Sequence, residues 1–270
     1  MLNLKKLFLF VILLSMGISM HPAWAELDED APGESVVRVS ATMGYHTSFG
    51  SYGNTIDTRI TYMPFITKLK YDAWTAKITV PYLQISGPDS VIGGGDDIIS
   101  GQAASLVRKK HSGLGDIVVG ITRRFLLGDP RTGLDITGKI KLPTADEDRN
   151  LGTGKFDYTL ETGLSHIFEN RIFVNGKAGR TFKGSTPSLN LHDVWRGSVG
   201  AGYSFVEGSS LGVNYEYHQS ASDSGKPFSQ ATLYLGQPLS ESWDAQLYVA
   251  KGFTDGAAEY GSGVMLSRKF

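Results

Sequence analysis

Segment after segment of this chain alternates apolar and polar residues with a period of two. Leu134, Ile136, Gly138, Ile140 and Leu142 face one way, and Asp135, Thr137, Lys139 and Lys141 the other. Phe156, Tyr158, Leu160, Thr162 and Leu164 oppose Asp157, Thr159, Glu161 and Ser165; Leu211, Val213, Tyr215 and Tyr217 oppose Gly212, Asn214, Glu216 and His218. Successive side chains of a strand point to opposite faces, so this pattern reads as strands with one apolar side. Beyond Glu34 no apolar run approaches the ~20 residues of a membrane helix. No 3.6-residue periodicity competes with the alternation. The fold class is therefore all-β, with twelve strands expected near 35–47, 55–71, 74–86, 114–127, 133–144, 156–168, 171–182, 194–206, 210–221, 228–237, 242–253 and 259–270. In the second of these the apolar face changes parity between Ile66 and Leu69, which predicts a bulge near Thr67, with Pro64 beside it.

The connections alternate too. Asp72-Ala73, 128–132, Glu169-Asn170, 207–209 and 238–241 are short, whereas 48–54, 87–113, 145–155, 183–193, 222–227 and 254–258 are longer and polar. Short turns at one end and longer loops at the other are the layout of a transmembrane antiparallel up-and-down β-barrel. The aromatic residues separate that barrel from a soluble sandwich. Tyr71, Trp74, Phe125, Phe168, Phe205, Trp243 and Phe270 sit on the apolar face beside the short turns. Tyr45, Tyr82, Phe156, Tyr158, Trp195, Tyr217 and Tyr260 sit at its other end. Two such girdles around an aliphatic band match the headgroup levels of a bilayer. The opposite face carries Arg38, Asp57, Arg59, Lys77, Asp116, Arg124, Lys139, Lys141, Asp157, Glu161, Lys177 and Glu216. A lysine or arginine facing lipid at the midplane costs ~2–4 kcal/mol, so these residues are expected to line the interior.

Residues 1–25 read as a secretory leader. Lys5 and Lys6 precede the apolar run 7–14, and Ala23-Trp24-Ala25 offers a small-x-small cleavage pattern. Residues 26–34, opening with Glu26-Leu27-Asp28-Glu29-Asp30, are expected to be a flexible acidic segment, and 35–270 the barrel. Together these features predict export to the outer membrane of a Gram-negative cell, with outer-membrane lipid and lipopolysaccharide as surroundings. With 26 Lys+Arg against 27 Asp+Glu, the chain has no basic excess for binding nucleic acid. It has no Cys, hence no disulfide, thiolate ligand or catalytic thiol.

At Gly113-Leu114-Gly115-Asp116-Ile117 a resemblance begins. It runs through Gly133-Leu134-Asp135-Ile136, Lys141-Leu142-Pro143-Thr144, Gly152-Thr153-Gly154 and Asp157-Tyr158, with Pro81-Tyr82 earlier. This order resembles the outer-membrane transporter family named after the MetA pathway of phenol degradation, with Ala145 where that family carries Gly. The resemblance implies a barrel associated with passage of small hydrophobic or aromatic molecules. Phe270, ending a final amphipathic strand, resembles the signal read by the barrel assembly machinery.

Three functional readings stand. The first is a channel whose lumen is lined by the charges named above. The second is a structural or adhesive barrel in which the same charges pair and close the lumen. The third is an ester hydrolase: His218-Gln219-Ser220 is similar to the His-Gln-Ser of outer-membrane phospholipase A, and His-x-Ser on a strand would share one face. Against it, the Asn-Gly that follows that serine is replaced by Ala221-Ser222, and Gln230 and Thr232 stand where an orienting Asn is needed. The longest loop, 87–113, reads either as an inward-folding lid, with basic Arg108-Lys109-Lys110 meeting lipopolysaccharide phosphates, or as a mobile external loop. Its Gly93-Gly94-Gly95-Asp96-Asp97 lacks the ligand spacing of a calcium loop. Gly152-Thr153-Gly154-Lys155 lacks Walker spacing, and the scattered His46, His111, His166 and His192 form no metal pattern. No metal or cofactor is assigned.

Overall fold

The structure, a computed structural model, describes residues 36–88, 91–93, 98–100, 107–185 and 190–270. The expected leader 1–25, the acidic segment 26–34 and, in the longest loop, 94–97 and Ala103-Ala104 lie outside the described residues.

In chain order the strands are β1 (Arg38–Gly50), β2 (Thr58–Tyr71), β3 (Trp74–Gly87), the short β4 (Val91–Gly93) and β5 (Ile98–Ser100), β6 (Lys109–Leu114), β7 (Ile117–Leu126), β8 (Thr132–Leu142), β9 (Asp157–Ile167), β10 (Ile172–Phe182), β11 (Val194–Ser204), β12 (Ser210–His218), β13 (Phe228–Pro238), β14 (Trp243–Gly252) and β15 (Tyr260–Lys269). Apart from the separate β4–β5 hairpin, barrel strands that follow one another pair antiparallel, β3 with β6 and β7, and β15 closes onto β1 from Ser40↔Lys269 to Phe49↔Tyr260. β6 and β7 pair in succession along β3 and act as one spanning strand. The result is a closed twelve-stranded barrel with its first and last strands starting and ending at the same rim. Positive-φ residues make the tight turns at that rim: Asp72, Gly128, Arg171 and Gly208.

The bulge lies elsewhere than the alternation suggested. β2 keeps one register from Arg38↔Lys70 to Gly50↔Thr58 against β1, and from Arg59↔Ser86 to Tyr71↔Trp74 against β3. Its apolar residues change parity because Ile60, Tyr62 and Ile66 point inward and are buried there, while Leu69 and Tyr71 point outward. The register slips instead between β6 and β7. Leu114 faces Tyr82 and Val118 faces Thr79, so Gly115, Asp116 and Ile117 oppose only Val80 and Pro81. Pro81 has no N–H to give, and the bulge answers it: Gly115 N–H donates to the Pro81 carbonyl at 2.9 Å.

The two faces sort as the girdles require. All fourteen aromatic residues of the two expected belts are exposed on the outer surface, and Leu160, Leu164, Val199, Leu247 and Val249 form an aliphatic band between them. Arg268 also faces outward, with its guanidinium 5.5 Å from the Trp243 ring and 4.8 Å from the Phe270 ring. Inside, large rings lie flat over glycines of adjacent strands. A Cβ at Gly202 would run into the ring of Phe173, one at Gly212 into Tyr234 and one at Gly263 into Tyr248. Glycine in these strands gives the lumen's rings a floor on the wall.

Candidate functional site

The strands place the charged residues on one inner wall. On β7 to β12 the inward positions form a ladder of ion pairs. Arg124 donates from Nε and Nη2 to Asp135, both at 2.8 Å. Lys139 lies 3.6 Å from Glu161, and Arg196 3.1 Å from Glu216. Lys177, two residues beyond Asn175 on the same face, adds its field to those of Lys139 and Arg196 at Glu161. Across an ordinary sheet such pairs contribute ~0.2–1 kcal/mol each, and in the lumen they also let charge sit inside without bare desolvation.

The facing wall is different. From β13 through β14, β15, β1 and β2 to β3, the charged inward residues Arg38, Lys68, Lys70, Lys77, Asp244 and Lys269 all lie toward the short-turn rim, where Asp244 pairs with Lys269 at 3.3 Å, and the inward positions farther from that rim carry no Lys, Arg, Asp or Glu. They carry Tyr234, Tyr248, Met265 and Ile66 instead, packed into one buried cluster with Phe173 of β10. His46 stacks on Tyr248 with ring centroids 5.6 Å apart. Because β10 lies three strands from β13, Phe173 meets the tyrosines across the lumen rather than along the wall. The interior is thus two-sided, ionic on one wall and aromatic on the other.

Loops cover the mouth opposite the short turns, and the sequence motifs explain how. The Gly115–Ile117 bulge buries Asp116 completely. Lys141 reaches its carboxylate at 3.1 Å, the Asp157 carboxylate at 3.2 Å and the Thr153 hydroxyl at 2.7 Å. Lys183 adds a second cation 3.2 Å from Asp157, and Gly184 N–H donates to the same carboxylate at 3.0 Å. Ala145 N–H donates to Asp116, while the Thr144 hydroxyl accepts from Ile117 N–H at 2.9 Å and donates to the Gly115 carbonyl. Thus Gly-x-Gly-Asp, Lys-Leu-Pro-Thr and Gly-Thr-Gly, separate in sequence, converge on one knot of two carboxylates and two ammonium groups. A Cβ on Gly152 would lie 2.7 Å from the Asp116 carboxylate, so the knot closes only around glycine.

From this knot the loop 143–156 turns inward. Leu151 is buried against Leu83 and Ile85 of β3, Ile60 and Tyr62 of β2, and Val91 of the β4–β5 hairpin. Gly93 N–H donates to the Asn150 carbonyl at 2.9 Å, joining the hairpin to the loop. Tyr52 and Ala258 complete the apolar cap from two further loops. Burial pushes the Tyr52 phenol up to about 12, against an opposing hydrogen bond with Ser48, so the ring caps the cluster as a neutral group. The β4–β5 hairpin of the longest loop therefore packs on the inward cap as part of the constriction, whereas 109–113, expected as loop, extend the barrel wall as β6.

Of the residues expected inside, Arg38, Lys77, Asp116, Arg124, Lys139, Lys141, Asp157, Glu161, Lys177 and Glu216 occupy inward positions. Two do not. Arg59 pairs with outward Phe49 and is exposed on the outer rim, and Asp57 is exposed beyond the end of β2. The supposed bulge at Thr67 had reversed their faces. Lys183, Arg196 and the apolar cap went unread in the sequence. Lys183 shares parity with Thr181, and that signal was hidden by its position in a loop; Ile60 and Tyr62 were hidden by the parity change.

The hydrolase reading loses its geometry. β12 ends at His218, so His218 and Ser220 do not share a strand face. The Ser220 hydroxyl donates to the Ser222 carbonyl at 2.7 Å, and His218 stacks on Phe228 at 4.6 Å with Nδ1 3.1 Å from the Gln219 carbonyl. Among the described residues no three His, Asp or Glu side chains are grouped to hold a metal.

No protein-family model matches the chain. No curated protein matches it either. Solved structures do match in fold. An outer membrane channel from Pseudomonas putida F1 superposes with a TM-score of 0.63 at 14% identity, covering 90% of this chain and 98% of that one. The NanC porin matches with 0.55 at 10% identity over 86% and 100% of the two chains, and the KdgM porin with 0.53 at 9% over 85% and 99%. At these identities the likeness concerns the barrel fold.

Proposed function

We propose that this chain is an outer-membrane channel for small molecules that combine an aromatic or hydrophobic part with a polar group. The two-sided lumen carries the reading: the buried cluster of Tyr234, Tyr248 and Phe173 spans the lumen, so a passing solute has to part these rings and pack its own apolar part among them while its polar group meets the ion-pair ladder of β8 to β12. A uniformly polar pore would favour ions and sugars. The inward loops set the size limit, since an entering solute must pass the cap built on Leu151 and Tyr62. The convergence of the motifs on the Asp116–Lys141–Asp157 knot supports a place beside the MetA-pathway family, and with it uptake of aromatic compounds.

The test is planar-bilayer recording of the refolded protein. Small, discrete conductance steps are expected, reduced by a soluble phenol-type solute that occupies the lumen. Barrels that are electrically silent under every condition and also fail to swell liposomes with an uncharged phenol would refute the channel; silent barrels that do swell them would restrict it to neutral solutes.

A further inference from the structure

Outward positions at the loop-bearing rim line up across six strands. Lys110 of β6 faces Ser86 of β3, Ser86 faces Arg59 of β2, Arg59 faces Phe49 of β1, Phe49 faces Tyr260 of β15, and Tyr260 faces Lys251 of β14. This is one continuous row on the outer surface, five strand spacings or ~24 Å long at ~4.8 Å each. Lys110 and Arg59 are exposed, and Lys251 rests its ammonium 3.8 Å above the Tyr260 ring. Phe49 and Tyr260 pack against each other between the cations, tilted by 33° with centroids 5.6 Å apart. Among the described residues no ion pair is made by Lys110, Arg59 or Lys251, and the exposed Asp57 and Glu259 lie beyond the row toward the loops.

We infer that this row is a docking surface for the phosphorylated headgroup of a lipopolysaccharide molecule in the outer leaflet. The inference rests on the outer-membrane reading and adds to it the residues and the ligand chemistry. Charge and spacing agree. The row meets the upper aromatic girdle at Tyr260 of β15 and at β1 and β3 runs four residues above the girdle residues Tyr45 and Tyr82, so its cations reach from the headgroup level outward, where an outward cation costs only ~0–1 kcal/mol. Below it the wall is aliphatic, at Val249 and Leu247 of β14 and Val264 of β15, which suits acyl chains. Three cations separated by two and three strands match a glycolipid carrying two phosphates at opposite ends of a sugar pair. A zwitterionic phospholipid, with one phosphate beside its own ammonium, would engage them far less. Arg59 and Lys110 supply charge-assisted hydrogen bonds to phosphate oxygens. The aromatic pair supports the sugar faces between them.

The experiment measures binding of fluorescent lipopolysaccharide to the refolded full chain in detergent. Three proteins are compared: wild type, the triple variant Arg59→Ala/Lys110→Ala/Lys251→Ala, and a control, Arg123→Ala/Arg268→Ala, which removes outward cations at the opposite rim. The expected result is at least tenfold weaker binding by the triple variant and unchanged binding by the control. Phosphatase-treated lipopolysaccharide should bind wild type at least tenfold more weakly. The charge-conserving Arg59→Lys/Lys110→Arg/Lys251→Arg should retain most of the affinity. Equal binding by wild type and a folded triple variant, or indifference of wild type to dephosphorylation, overturns the inference; the second arm decides even if the triple variant misfolds. Flotation of the same wild-type preparation with liposomes separates the two levels. A protein that does not insert refutes the outer-membrane reading, whereas one that inserts but ignores lipid phosphate refutes the docking surface alone.

Discussion

Replacing Lys141 by Met tests the knot that holds the mouth closed. Methionine keeps the length of the stem and removes the ammonium. Asp116 would then be a fully buried carboxylate left with the Ala145 N–H, while Asp157 keeps Lys183 and the Gly184 N–H. Breaking a buried pair in this way costs ~3–5 kcal/mol. The strands carry unbroken ladder hydrogen bonds, so the cheapest relief is to let the loop 143–156 leave the lumen and water reach Asp116. A loss of ~3 kcal/mol makes that opening roughly a hundredfold more frequent. Hydrogen exchange of backbone amides in bicelles reads it directly. Amides of 143–156, and Gly93 bonded to Asn150, should exchange about two orders of magnitude faster in Lys141→Met, while β11 to β14 stay protected. Adding Asp116→Asn should recover part of the protection, because it removes the orphaned charge. Exchange in the loop unchanged within about twofold, or acceleration spread evenly around the barrel, would refute the knot as the loop's anchor.

Gly152→Ala should release the same loop without altering any charge, since the added Cβ meets Asp116 at 2.7 Å and Ala145 at 2.6 Å; larger single-channel conductance than wild type is the readout. Gly263→Val should clash with the Tyr248 ring and destabilise the barrel by ~1–3 kcal/mol, seen as a lower temperature for the heat-dependent mobility change on gels. Ser220→Ala should leave conductance and the hydrolysis of a chromogenic ester both at the wild-type level, because its hydroxyl is committed to a local turn with Ser222.

The wall of the barrel was legible in the sequence because period two is a local signal. Each strand from β8 to β15 falls within a few residues of its expected span, and every girdle aromatic faces outward. What escaped was whatever the lumen does with apolar residues. Ile60, Tyr62 and Ile66 alternate like outward residues, and only distant partners explain why they point inward: a cap made of Leu151 and Val91 for the first two, and the cluster around Phe173 and Tyr248 for Ile66. From alternation alone that stretch looked like a bulge, and the error carried Asp57 and Arg59 to the wrong face. The true bulge was written as Gly115-Asp116, but a buried aspartate reads as a lumen charge until its partner Lys141 is seen 3.1 Å away. Lys183 belongs to the same knot through a contact 26 residues away in sequence, and no local pattern encodes that distance.

The closed sheet is two-sided, and the absence of cysteine makes that sidedness directly measurable. Single cysteines placed at Leu164 and Val249, and at Lys139 and Glu216, can each carry a nitroxide label in liposomes. Collision with oxygen, which concentrates in lipid, and with a water-soluble nickel chelate then reports the surroundings of each site. The expected result is oxygen-dominated relaxation at 164 and 249, and chelate access exceeding it at 139 and 216. Lipid-like relaxation at 139 together with chelate access at 249 would contradict the account.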